Sequence, residues 1–445
     1  NGDIIGIIGG RGEKTGKLSY NRATQAVRQP GSSLKPLTVY GKAFEENLVT
    51  LGTIIEDSPV MKYDGSDWPA NADGKYHGDM SIYKALTNSY NPPAVRVLRL
   101  QQDDDGTFST VLNFARDTLK LSSLQDDDKN GLAPLSLGAL SKGVTVLEMT
   151  RAFSVYANKG TFTDSRSYTR VESYSGKTVL QKDVSKQSVY SEQTAYLMTY
   201  TLENVVAETY FGRAAKVYGV ETAGKTGTTS FYNDRWFIGY TPELLAGVWY
   251  GFEYPASLSD VSGNPALTVF DEVLGRVIAA RGVERRQFST PEDLVAVRYC
   301  KDSGKLLSDA CYHDPRGDRS EVGYVKVGTE PTGHCDCHVL VDYCSGGGVA
   351  TPECPAECRH QTALLRVSRH FKRQIAVRDA PFTYEGEAGN MGQNFRYNEP
   401  YYSVNYETKQ FFGIAMGEIP YNHACPVHSA DAFWQRRLLV AEKTG

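Results

Sequence analysis

No stretch of about 18 apolar residues occurs in the 445-residue chain, so nothing in it reads as a membrane-spanning helix. A basic-then-apolar leader is also missing. The opening "NGDIIGIIGG" lacks a methionine and enters an apolar run after three residues. We therefore expect the chain to be cut from something longer, and the missing leader does not make the native protein cytoplasmic. A surplus of basic charge is absent too: 48 Lys and Arg against 52 Asp and Glu give −4, which argues against a nucleic-acid partner. The runs "QQDDDG" and "QDDDKN" lack the alternating ligands and distal Glu of a calcium loop, and read as solvated turns. What is present is an ordinary globular composition, 40% hydrophobic and 22% charged, in a chain longer than the roughly 250–300 residues one core supports. Two or more folded units are expected.

Cysteine is absent from the first two thirds. All eight lie after residue 299, at 300, 311, 335, 337, 344, 354, 358 and 425, which marks a boundary in composition. An even number in so short a span favours disulfides in an oxidising compartment, with roughly a hundred pairings open. Zinc is the alternative, because His334-Cys335-Asp336-Cys337-His338 and Cys354 to Cys358-Arg359-His360 crowd soft ligands together. Their spacings match no standard zinc pattern, so no metal is assigned. Free thiols are the third possibility.

Along the chain, "DIIGIIGG" reads as a strand, and Pro30-Gly31 turn the chain into a helix near Ser32. Thr145 and Glu148 form a capping box for a helix that closes at Gly160. Ala195, Met198, Leu202, Val205 and Val206 recur at helical spacing after Ser191. "RWFIGY", "TPEL" and "LAGVWYG" read as a hairpin. Asn264-Pro265 opens a last helix, whose face is expected to comprise Val269, Phe270, Val273, Leu274, Val277 and Ile278. This order predicts an α/β or α+β domain over 1–285, followed by a cysteine-bearing β and loop region over 286–445.

Three short motifs carry the chemistry. Ser-x-x-Lys occurs at Ser32 and Ser81; Ser-x-Asn at Ser19, Ser89, Ser262 and Ser403; Lys-Thr-Gly at Lys14, Lys225 and Lys443. Together they are the signature of serine acyl-transfer sites that attack peptide-like carbonyls. A serine needs a base within reach, and position i+3 on a helix supplies one, so Lys35 can serve Ser32. The turn at Pro30-Gly31 exposes that hydroxyl at a helix start with free N–H groups, whereas Ser81 opens a helix with a core face and is expected to cap it. At its ordinary pKa of ~10.4 a lysine is neutral in about one molecule per few thousand at neutral pH, so Lys35 needs burial and a second cation to act as base. Lys225, on the strand before the hairpin, is the expected cation, so both amines should converge on Ser32. Gly227 would let a substrate backbone reach that strand edge, and Thr226 and Thr228 would offer hydroxyls to its carboxylate. The Lys14 copy lies in a polar loop and the Lys443 copy at a frayed end, where nothing is preorganised. Ser89-Tyr90-Asn91 alone follows an amphipathic helix and lies between the other two motifs.

With "RQPGSSLKP", "LTNSYNPPAV", "LSLGALSKGVTVLEMTRAFSVYANKG" and "AGKTGTTSFYNDRWFIGYTPELLAGVWYG" in order, residues 1–285 resemble the transpeptidase domain of class A penicillin-binding proteins. The resemblance implies the penicillin-binding and serine β-lactamase-like fold, an antiparallel sheet flanked by helices. It implies D,D-transpeptidation: Ser32 would attack the D-Ala-D-Ala carbonyl of a peptidoglycan stem peptide, release D-alanine and pass the acyl group to an acceptor amine. Lys35 would take the Ser32 proton, Ser89 would relay it, Asn91 would hold the donor's amide, and the N–H groups of Ser32 and Thr228 would form the oxyanion hole. β-Lactams would trap Ser32. No cofactor is implied, and the setting would be extracytoplasmic, with a membrane anchor in the full-length protein. The anchor and glycosyltransferase domain that precede this region in class A proteins are absent from the sequence. Cys300 to Cys311 and "GTEPTGHCDCH" resemble an extension of some Gram-positive members, while the role of residues 365–445 is open. A D,D-carboxypeptidase or β-lactamase, or a β-lactam sensor that acylates once, are the rival readings. The absence of a Glu-x-x-Leu-Asn segment counts against a class A β-lactamase.

Overall fold

A computed structural model describes residues 1–13, 16–282, 286–314, 317–345, 348–367, 403–405, 410–415, 425 and 427–428. The boundary expected near 285 and the Lys-Thr-Gly copies at Lys14 and Lys443 lie outside them. The chain forms two compact units: Asn1–Thr50, Tyr83–Val295 and Val325–Gly328 in the first, and Leu51–Ile82, Ala296–Tyr324 and Thr329–Gly445 in the second. The division is thus more than a single cut, since an early segment joins the later unit. No helix is long and apolar enough to cross a membrane among the described residues.

The first unit contains the helices α1 (Ile82–Thr87), α2 (Asn91–Arg99), α3 (Val146–Ala152), α4 (Glu192–Glu208) and α5 (Pro265–Arg281). Its sheet consists of β1 (Ala223–Thr228), β2 (Asp234–Tyr240) and β3 (Leu245–Gly251), antiparallel, with β2 central and β1 at one edge. The expected hairpin is β2–β3. Trp236 pairs with Gly227 and Ile238 with Lys225, which fixes what each residue of β1 faces. Phe237 of β2 meets Phe270 of α5 edge to face at 4.8 Å, and Val206, Leu267, Leu274 and Ile278 complete the cluster. Each such buried side chain contributes about 2 kcal/mol.

Both ends of α5 follow the sequence, with the Asn264 side chain accepting from the Ala266 N–H and Gly282 left-handed at the close. Of the expected face, Phe270, Leu274 and Ile278 are buried, but Val269 and Val273 are 44% and 46% exposed, and Leu267, one turn before Phe270, joins the core. The Thr145–Glu148 capping box is present, but the helix breaks at Phe153 into a second short helix, Ser154–Ala157. The Thr150 hydroxyl bonds back to the Val146 carbonyl at 2.7 Å, a contact that bends helices. "DIIGIIGG" is no strand: Ile5 and Ile8 are exposed, and only Asp3 makes a bridge, to Arg166.

In the second unit, Ser81 ends a strand, Gly78–Ser81, and its hydroxyl donates to Glu321 at 3.0 Å. Further strands are β4 (Leu294–Cys300), β5 (Ser320–Lys326), β6 (His338–Cys344) and β7 (Arg359–Val367), with β6 and β7 antiparallel. The disulfides favoured from the sequence are not formed: no two of the eight cysteines are bonded to each other.

Candidate active site

The chain enters the site through Arg28, whose backbone pairs in both directions with Val144 at 2.9 Å. Gln29 then clamps the loop from its other side. Its amide donates to the Leu140 carbonyl and accepts from the Leu140 N–H at 2.6 Å, while its own carbonyl takes the indole N–H of Trp236 at 2.8 Å. Gly31–Leu34 is a 3-10 turn, continued by a π turn over Pro36–Tyr40 and an α turn over Gly41–Glu45. Pro36 explains the change of pitch. It has no N–H for the Ser32 carbonyl, which takes the Lys35 N–H in 3-10 fashion instead. The Pro36 carbonyl accepts from the Gly41 N–H and from the buried Tyr156 hydroxyl at 2.6 Å. Short π segments of this kind recur at functional sites.

Two adjacent serines end up in different states. Ser33 is buried and its hydroxyl is spent on the Pro30 carbonyl at 2.7 Å. Ser32 is partly exposed. Gly31 has φ +53, and a side chain there would lie 2.6 Å from the Thr228 carbonyl oxygen and 3.1 Å from its nitrogen. Gly138, also left-handed, abuts Gly31 from another side, since a Cβ on it would be 2.7 Å from the Gly31 nitrogen. A Cβ on Gly227 would collide with the Pro30 carbonyl and lie 2.9 Å from the Ser33 hydroxyl. Three glycines therefore let the Ser32 turn lie directly against the open edge of β1.

Ser89 occupies a left-handed position, φ +61. α1 ends in the two bonds of a Schellman motif, Tyr90 N–H to Ala85 carbonyl at 3.0 Å and Ser89 N–H to Leu86 carbonyl at 3.1 Å. Glycine is the usual occupant there, so a serine costs about 1 kcal/mol of backbone strain, the kind that collects at functional sites. Pro92 and Pro93 lie in the first turn of α2, where a missing N–H costs nothing.

The two lysines meet at Ser89. The buried Lys35 Nζ donates to the Ser89 carbonyl at 2.7 Å, the Tyr90 carbonyl at 3.0 Å and Asn91 Oδ1 at 2.7 Å. Lys225 Nζ donates to Ser89 Oγ at 2.8 Å. Lys225 is fully buried beside a hydroxyl and a carbonyl, and this desolvation pushes its pKa down to about 7. The sequence treats Lys225 as a standing cation; its surroundings make it a group that titrates near neutrality. Thr226 is buried and Thr228 exposed on the same strand.

Of the sequence-derived residues, Lys35, Ser89, Asn91 and Lys225 join in one hydrogen-bond chain, and Ser32 lies on the turn that packs against Thr228 and Gly227. Gln29, Gly138 and Trp236 were missed. Gln29 is joined to a segment 111 residues away, and no local pattern marks such a partner.

The family described as "Penicillin binding protein transpeptidase domain" matches residues 1–249, and "Penicillin-binding protein 1A, C-terminal domain" matches residues 290–340. Penicillin-binding protein 1A of Clostridium botulinum is 32% identical over 349 residues, 76% of this chain and 41% of that protein. Penicillin-binding protein 4 of Bacillus subtilis is 34% identical over 274 residues, 61% of this chain and 42% of that protein. The chain thus spans about two fifths of these relatives' length. Among solved structures, penicillin-binding protein 1A from Haemophilus influenzae aligns with TM-score 0.56 at 24% identity, covering 71% of this chain and 50% of that one. PonA1 from Mycobacterium tuberculosis, solved in complex with penicillin V, aligns with TM-score 0.52 at 23% identity, covering 62% and 74%. These two likenesses concern the fold.

Proposed function

Because the chain belongs to the penicillin-binding protein transpeptidase family, we propose that its first unit is a serine acyltransferase that cross-links peptidoglycan stem peptides and is acylated by β-lactams. The observation that carries this reading is the pair of hydrogen bonds from Lys35 to the Ser89 carbonyl and from Lys225 to the Ser89 hydroxyl, with a partly exposed Ser32 three residues before Lys35.

The three acceptors around Lys35 are oxygens, and two of them are backbone carbonyls with no proton to give. A neutral amine keeps two of these bonds and frees a lone pair, which takes the Ser32 proton as Oγ attacks the donor carbonyl. The tetrahedral oxyanion accepts the N–H groups of Ser32 and Thr228, a device worth ~10²–10³ in rate per donor. On collapse the C–N bond to the terminal D-alanine breaks, and its amine takes a proton from Ser89, which recovers one from Lys225. A pKa of about 7 suits Lys225 to that exchange. An acceptor amine then repeats the steps in reverse and frees Ser32. Thr226 and Thr228 hold the donor carboxylate, Gly227 admits its backbone to the β1 edge, and Asn91 holds the donor's amide through Nδ2, its oxygen being engaged by Lys35. The setting is extracytoplasmic.

A fluorescent penicillin should label the chain covalently. Ser32→Ala should abolish the label and Ser81→Ala should keep it; a labelled Ser32→Ala would remove the proposed nucleophile. Loss of label over hours favours transfer, whereas release within seconds would make the protein a β-lactamase.

A further inference from the structure

The cysteines of the second unit are not scattered. Sγ of Cys300, Cys311 and Cys335 and a ring nitrogen of His338 all lie within 4.8 Å of one another, and so do those of Cys344, Cys354, Cys425 and His428. We propose that each tetrad is a tetrahedral Cys3His zinc centre, so that the second unit carries two structural metal ions.

The distances fit one shared central ion. Zinc with Zn–S near 2.3 Å and Zn–N near 2.0 Å sets tetrahedron edges of about 3.8 Å between sulfurs and about 3.5 Å between sulfur and nitrogen. In the first tetrad Cys335 and Cys300 sulfurs are 3.6 Å apart, and His338 Nδ1 is 3.5, 3.5 and 3.2 Å from Cys300, Cys311 and Cys335. In the second, His428 Nδ1 is 3.3 Å from Cys344 and 3.5 Å from Cys425. A disulfide would need about 2.05 Å.

The surroundings of His338 also point to a ligand. Its Nε2 lies 2.9 Å from Asp314 and 3.3 Å from Asp302, and Arg319 holds Asp302 with two bonds of 2.9 Å. Two carboxylates on Nε2 fix the proton there and leave the Nδ1 lone pair directed at the sulfurs, the arrangement of metal-bound histidines.

An internal duplication supports both centres independently. Tyr299-Cys300 ends β4 and Tyr343-Cys344 ends β6. Cys311 follows Cys300 by 11 residues and Cys354 follows Cys344 by 10. In each copy the residue three before the second cysteine turns its N–H onto that sulfur, Ser308 at 3.4 Å and Thr351 at 3.3 Å. Each copy closes with Cys-x-x-His, Cys335 to His338 and Cys425 to His428. The compositional reading missed this repeat because the last pair follows at such different distances. It also looked to His334 and His360, which stand outside both tetrads: His334 bonds the Leu307 carbonyl and His360 meets the Tyr343 ring.

Cysteines also stand where a core would be. Cys300, Cys311 and Cys335 form one buried cluster with Leu307, and Cys344, Cys354 and Cys425 another with Ala350 and Val427. So little aliphatic area leaves a cross-link to hold the strand ends together. On binding, three thiols per site lose their protons to solvent and the histidine stays neutral, giving each centre a net charge of −1.

The test uses the whole chain, purified reduced and without chelator. Elemental analysis should give two zinc ions per chain, and all eight thiols should react once the protein is unfolded with chelator present. Replacing zinc with Co2+ should produce the absorption of tetrahedral cobalt thiolate at two equivalents. Cys311→Ser and Cys354→Ser should each lose one ion, whereas Cys337→Ser and Cys358→Ser, at neighbouring thiols outside the tetrads, should keep two. Since a ligand variant can fail to fold, the cobalt titration of the unaltered chain stands as the second measurement. Disulfides, or fewer than two ions per chain, would overturn the proposal, and loss of metal from Cys337→Ser or Cys358→Ser would overturn the ligand sets.

Discussion

Gly31→Ala gives the sharpest test of how the Ser32 turn meets β1. The added Cβ would sit 2.6 Å from the Thr228 carbonyl oxygen, 3.0 Å from its carbonyl carbon and 3.1 Å from its nitrogen. Ordinary carbon–oxygen contacts are no shorter than about 3.3 Å, so one backbone must yield by about 0.7 Å. The turn cannot retreat, because Gly138 lies against Gly31 and Gln29 is tied to Leu140. Thr228 therefore moves, and its N–H leaves the place proposed for it in the oxyanion hole. Losing one such donor costs ~10²–10³ in rate, so the acylation rate by a fluorescent penicillin should fall about 100-fold. Stability should fall by about 1–2 kcal/mol for an alanine held at positive φ, plus the cost of the displaced strand. Gly12→Ala is the control: its φ is +89 with nothing within 4 Å, so it carries the backbone strain alone. An acylation rate in Gly31→Ala within about threefold of the parent would refute the placement of Thr228 in the oxyanion hole.

Two further outcomes follow from Lys225 and Ser89. Burial lowers the Lys225 pKa from 10.5 to about 7, so the folded state is penalised wherever the amine is charged. Stability from this group is complete above about 10.5 and is lost as pH falls to about 7, a swing of about 5 kcal/mol with a slope near 1.4 kcal/mol per pH unit. Urea unfolding at several pH values from 7 to 9 should show that slope in the parent, and Lys225→Met should be flatter; equal slopes would mean that Lys225 is not titrating there. Ser89→Gly and Ser89→Ala both remove the Lys225 acceptor, and both should lower acylation by ~10²–10⁴. Glycine should be the more stable of the two by about 1 kcal/mol, since it adopts φ +61 without strain, and equal unfolding midpoints would deny that strain.

The elements that were legible in the sequence are those whose causes are local. The capping box at Thr145 and Glu148, the cap at Asn264 and the β2–β3 hairpin depend on neighbours a few residues away. The motif residues were legible for a related reason: Ser32 and Lys35 are coupled by one helical turn, and Ser89 and Asn91 by one helix end. Readings failed where a distant partner decides. Val269 and Val273 fit an apolar stripe by spacing, yet of that stripe α5 buries Phe270, Leu274 and Ile278, and adds Leu267. The apolar opening run has strand composition but only Arg166 as a bridge partner, and a strand without a ladder is not one.

Residue identity made acyl-transfer chemistry an expectation: Ser-x-x-Lys, Ser-x-Asn and Lys-Thr-Gly motifs stand in order at Ser32, Ser89 and Lys225, although each motif also occurs elsewhere in the chain. Tertiary structure decided how they are used. It brought both amines to Ser89, withdrew water from Lys225 so that its charge became adjustable, and stacked glycines 31, 138 and 227 so that two backbones could touch. It also gathered cysteines spread over 126 positions into two foci. Desolvation and contact depend on what lies nearby in space, and sequence order does not record that.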